Sequence, residues 1–223
     1  MATSTSSERL DRALPVGRST AVRAVGTLLA LELLAVFVYL RVTGTNILAP
    51  RYTLYPFVWI NVGAWVLLRR PTVPASPRRR IAAGVVAVGY FGVLAVAGGL
   101  VGSGGMDMPA RIAWLSPGWG PAFMYTNTVV DISLIPFEVV GYAALAVLVY
   151  TVVLSGARSA LAGVLGVATC VGCLWPFGAA LAAALGGVGS PLASTVPSVA
   201  YDLSTVVFLA TAGVLYWSAR RTA

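Results

Sequence analysis

The sequence predicts an all-α integral membrane protein, a bundle of about six transmembrane helices with both termini in the cytoplasm. Three observations predict it. Of 223 residues 58% are apolar and 10% charged, whereas a soluble domain carries about a quarter charged residues. The apolar residues fall into blocks near the length that crosses a hydrocarbon core roughly 30 Å thick at about 1.5 Å per helical residue. The net charge of +8 rests on fifteen arginines without a lysine, and these gather at the ends of the blocks.

Residues 1–20 are polar and read as a cytosolic tail. The first span follows over 21–40, too long for the core of a cleavable signal peptide and without a small-residue cleavage site. Further spans read as 53–68, 81–101, 132–154, 160–185 and 200–217, which makes 21–218 one membrane domain and 219–223 a second cytosolic tail. The connection 69–80 holds five arginines around Pro71, Pro74 and Pro77 and reads as a non-helical cytoplasmic loop. The longer connection, 102–130, is rich in Gly and Pro and reads as an outer loop lying partly on the interface through Trp114, Trp119 and Tyr125. With the amino terminus inside, twelve arginines fall on inner segments, and only Arg41, Arg51 and Arg111 fall outside. An odd number of spans moves Arg220 and Arg221 outward and weakens that bias.

Composition also excludes function classes. The chain has no His, so haem ligation by His and Ser-His-Asp or Cys-His catalysis are not expected. Gly102, Gly104 and Gly105 lack the Lys and the strand-to-helix setting of a phosphate loop, so no nucleotide site is expected. The basic balance is explained by helix orientation rather than by nucleic acid. The expected partners are the lipid bilayer and other membrane subunits.

Polar residues inside apolar spans are costly and carry the candidate chemistry. Cys170 and Cys173 lie three apart on one helical face, a spacing that suits a soft metal ion or dithiol exchange as well as plain packing. Glu32 and Glu138 fall within spans as proton or cation candidates. Arg23 and Arg41 are each nine residues from Glu32, about 13 Å along a helix, too far to pair with it. Helical spacing would stack Asp131, Glu138 and Tyr142 along one stripe, with Pro136 freeing a carbonyl nearby. Met106 and Met108 flank Asp107 on the outer loop as a second soft-metal candidate. A faint repeat sets Thr45-Asn46 and Pro56-Phe57 against Thr126-Asn127 and Pro136-Phe137.

The stretch Cys170-Val171-Gly172-Cys173-Leu174-Trp175-Pro176 resembles the intramembrane cysteine pair of MerC-type mercury-uptake proteins. That resemblance covers about twenty residues and implies that the two thiols pass a soft metal across the bilayer. The whole chain resembles Ala-rich and Arg-rich multi-pass proteins of halophilic archaea, which implies no activity. The pair also resembles the intramembrane Cys-x-x-Cys of vitamin K epoxide reductases, without their separate loop cysteines. The expected function is a small transporter or soft-metal-handling protein. The alternatives are a membrane thiol and quinone oxidoreductase, or a non-catalytic subunit of a larger membrane complex.

Overall fold

The computed structural model describes residues 7–47, 49–155 and 191–222. They form five helices and a four-stranded antiparallel sheet in two units, Met1–Asn46 and Ile47–Ala223. The all-α expectation is therefore corrected: the protein is mixed, helices plus sheet. The sheet is built largely from the segment that composition reads as an outer loop, with its last strand running into the start of the span read over 132–154.

The first unit is the helix α1 (Ser7–Thr43), whose stretch Val25–Thr43 has a mean hydropathy of 2.0. Its helix begins far upstream of residue 21, inside the segment read as a tail. The chain leaves it at Gly44, whose φ of +66° is a backbone state that a residue with a Cβ rarely adopts.

The second unit opens with α2 (Pro50–Arg69) and α3 (Pro77–Ala97), each with Pro in its first turn, where the missing N–H costs nothing. After α3 come β1 (Val101–Ser103), β2 (Met108–Ala113), β3 (Ala122–Thr126) and β4 (Val130–Leu134), then α4 (Pro136–Ser155) and α5 (Pro191–Thr222). The sheet order is β1-β4-β3-β2. Its centre is the β3–β4 hairpin, closed by Asn127, whose side-chain oxygen accepts from the N–H groups of Val129 and Val130 at 2.8 and 2.6 Å.

Ile132 to Ile135 read as the start of a span because an apolar run does not by itself separate strand from helix. Ile132 instead pairs with Val101 and Tyr125, and Pro136 then begins α4. Pro136 is a helix starter, whereas Pro56 lies inside α2, so the two halves of the proposed repeat are not equivalent here.

α4 packs against α2, α3 and α5 and forms the centre of the unit. Its circumference is apolar apart from Glu138, Tyr142, Tyr150, Thr151 and Ser155, as expected of a helix surrounded by others. Trp59 of α2 organises the core. Its ring stacks on Phe208 at 4.0 Å and 9°, meets Phe137 and Tyr142 edge-on, and donates its N–H to Thr205 at 3.2 Å. Gly141 lets α4 approach this indole, since a Cβ there would collide with the Trp59 ring.

α2, α4 and α5 run from the sheet end toward the opposite end, and α3 returns. Tyr201 of α5 meets Tyr52 near the start of α2, while Tyr216 meets Trp65 near its end. Four of the described helices are long and apolar enough to cross a membrane, over Val25–Thr43, Pro77–Ala97, Pro136–Ser155 and Tyr201–Arg221. α2 is not among them; the span expected over 160–185 lies outside the described residues.

Candidate functional site

The site grows from a proline. Pro56 has no N–H to give to the Tyr52 carbonyl four residues earlier in α2, so that carbonyl needs another donor. Trp119 supplies it, its indole N–H lying 2.8 Å from the Tyr52 oxygen. The turn that presents Trp119 is drawn onto the same proline. Gly118, at φ +88°, packs so closely that a Cβ would stand 2.6 Å from the Pro56 Cβ.

Trp119 then touches α4 and α5. Its ring is 5.1 Å from Phe137 and 5.6 Å from Tyr201. Tyr201 is also 5.3 Å from each of Tyr52 and Tyr55, and lies within electrostatic reach of Glu138 in the first turn of α4. Asp202, next along α5, reaches Arg51 at 3.7 Å and faces the Tyr55 hydroxyl.

Four buried side-chain polar atoms have no hydrogen-bond partner among the described residues: Thr53 Oγ1, Glu138 Oε2, the Tyr201 hydroxyl and Asp202 Oδ1. All four lie at the sheet end of the bundle. Buried polar atoms are paired in the great majority of cases, so a group of exceptions at one place marks a candidate site. A cleft of about 270 Å³, lined by Tyr52, Leu115, Ser116 and Trp119, opens beside it. Ring faces next to a buried carboxyl attract a cation through the ring quadrupole and through charge.

The structure brings only part of the expected constellation together. Glu138 is in the site. Asp131 is not: it sits in β4, accepts the Thr126 hydroxyl at 2.6 Å, and shares no helical stripe with Glu138 or Tyr142. Pro136 frees no carbonyl within a helix; Pro56 does. Glu32 belongs to α1, in the other unit, and is not free. Cys170 and Cys173 lie outside the described residues.

Met106 and Met108 part company. Met108 lines a cleft of about 150 Å³ on the sheet with Met124, Asp131 and Arg111, whereas Met106 is not among its lining residues and is 71% exposed. Asp107 accepts the Thr128 N–H at 3.1 Å. The guanidinium of Arg111 in that cleft opposes a metal cation.

Tyr52, Tyr55, Trp119 and Tyr201 were not anticipated as site residues. Tyr52 and Tyr55, three apart at the start of α2 with Pro56 following, carry a one-face signal; nothing local ties them to Trp119 or Tyr201.

The model of a family described as "Family of unknown function (DUF7546)" matches residues 1–222. No curated protein and no solved structure matches the chain.

Proposed function

We propose a cation-handling role in the membrane for this chain, which belongs to the DUF7546 family. The protein is a small transporter that takes up a monovalent cation at the sheet end, with Glu138 as charge partner and Tyr52, Trp119 and Tyr201 as the aromatic approach. The observation that carries this reading is the buried Glu138 oxygen, which has no hydrogen-bond partner among the described residues and lies within electrostatic reach of Tyr201.

Four helices long and apolar enough to span support the membrane setting. The arginines support an orientation. Arg69, Arg70, Arg78, Arg79, Arg80, Arg220 and Arg221 lie at the end away from the sheet, which faces the cytoplasm by the positive-inside rule. The sheet and the site are then extracytoplasmic and the carboxy-terminal end of α5 cytoplasmic; the amino terminus is assigned to the cytoplasm by its own arginines, Arg9, Arg12, Arg18 and Arg23, ahead of the apolar stretch of α1. Cys170 and Cys173 remain proposed soft ligands.

The test is calorimetric titration of the purified full chain with tetramethylammonium, Na⁺ and Ag⁺ as separate probes, followed by flux in reconstituted vesicles. At least one cation binds, and Glu138→Gln weakens it roughly tenfold or more, while Asp107→Asn on the sheet leaves it as in the wild type. Ag⁺ binding that falls in Cys170→Ser/Cys173→Ser assigns the thiols. Affinity unaltered in Glu138→Gln, or no binding of any of the three, overturns the reading.

A further inference from the structure

The four acidic residues of the described second unit, Asp107, Asp131, Glu138 and Asp202, all lie in the sheet or at the sheet end of the bundle. The opposite end carries arginines without them. There, a cleft of about 380 Å³ is lined by Trp65, Arg69, Pro71, Tyr216 and Arg220, at the junction of α2 with α5.

Three contacts shape it. The Tyr216 hydroxyl lies 3.4 Å from the Arg69 carbonyl at the end of α2, donating to an oxygen that would otherwise repel an anion. The Trp65 and Tyr216 rings are 4.5 Å apart, joining the two helices. Arg220, one turn after Tyr216, stands with its guanidinium 5.8 Å from that ring, while Arg221 is drawn aside onto Trp217 at 3.4 Å. Arg69 and Arg220 thus face one cleft with no carboxylate among its described lining residues.

We propose that this cleft binds a phosphate group, presented by an anionic phospholipid headgroup. Two guanidiniums suit a phosphate through paired N–H donors. Basic pockets between helices on the Arg-rich side of a membrane protein bind such headgroups. The lipid source is favoured over free phosphate because exposed Trp65, Leu68 and Trp217 stand at the same level, an aromatic and apolar fringe suited to the headgroup layer. The inference rests on the membrane setting and not on the cation reading, which lies at the other end of the molecule.

The purified full chain is tested by native mass spectrometry and by thermal unfolding with phosphatidylglycerol, phosphatidylcholine or inorganic phosphate added. Phosphatidylglycerol is retained and raises the unfolding temperature; phosphatidylcholine is not retained. Arg220→Gln weakens retention roughly fivefold, and the Arg69→Gln/Arg220→Gln pair roughly twenty-five-fold. Arg70→Gln, which removes the same charge beside the cleft, leaves retention at the wild-type level. Arg220 is exposed near the end of α5, so its single variant keeps the test readable where the double variant does not fold. An equal shift from inorganic phosphate, lost in the same variants, overturns the lipid source and keeps the phosphate site. Wild-type retention in Arg220→Gln, or equal losses in Arg70→Gln, overturns the site.

Discussion

The indole N–H of Trp119 donates to the carbonyl of Tyr52 at 2.8 Å, the carbonyl that Pro56 cannot pair within its own helix. A helix defect and a loop residue 67 positions away therefore answer one another. Trp119→Phe leaves that carbonyl short of a donor and costs about 1–3 kcal/mol. Pro56→Ala restores a helical N–H at the position and makes Trp119→Phe less costly in the double variant. Denaturant unfolding of the four proteins in detergent measures this cycle, and strict additivity contradicts the coupling.

Gly118→Ala strains the same junction twice. The residue sits at φ +88°, and the added methyl meets Pro56. A loss of roughly 1–3 kcal/mol is expected, read as a lower unfolding temperature. Gly105→Ala, in a position with open space around it, is the matched control.

Trp59 binds three helices through one ring system, so its neighbours tolerate little growth. Gly141→Ala drives a methyl into the indole, and Gly63→Ala places one 2.9 Å from Val140 Cγ1. Gly141→Ala is expected to be the more damaging because a stacked indole yields less than a valine methyl. Each costs about 1–3 kcal/mol, and the ranking is checked by thermal unfolding.

Glu138 should reveal its role through stability as well as binding. A buried carboxyl oxygen without a partner is destabilising, and replacing it with an apolar side chain removes that cost. Glu138→Leu is therefore expected to unfold at a higher temperature than the wild type while losing cation binding, the trade-off of a functional site. A lower unfolding temperature in Glu138→Leu instead identifies a structural carboxyl.

Orientation is accessible to labelling. In a Cys170→Ser/Cys173→Ser background, Met106→Cys on the sheet side reacts with an impermeant maleimide on intact cells. Ser76→Cys, beside the start of α3, reacts only after permeabilisation. The reverse pattern inverts the assigned topology.

Some of this was fixed by composition and spacing alone. Apolar blocks of bilayer length marked α3, α4 and the latter part of α5, and the arginines marked one end, because desolvation and charge act residue by residue and need no knowledge of neighbours. A carboxyl inside an apolar block marked Glu138 as a candidate for the same reason. The sheet was not legible: its strands are three to six residues long, broken by Gly and Pro, and β4 runs into α4 through one apolar stretch. Strand pairing is a relation between distant segments, and only the fold supplies it. The same holds for the candidate site. Tyr52, Trp119, Glu138 and Tyr201 lie on three helices and a turn, and no local pattern records that Pro56 leaves a carbonyl for Trp119 to fill. Sequence determined which residues are costly to bury; tertiary structure decided which of them meet, because contacts between remote segments depend on how helices pack and not on the residues beside them in the chain.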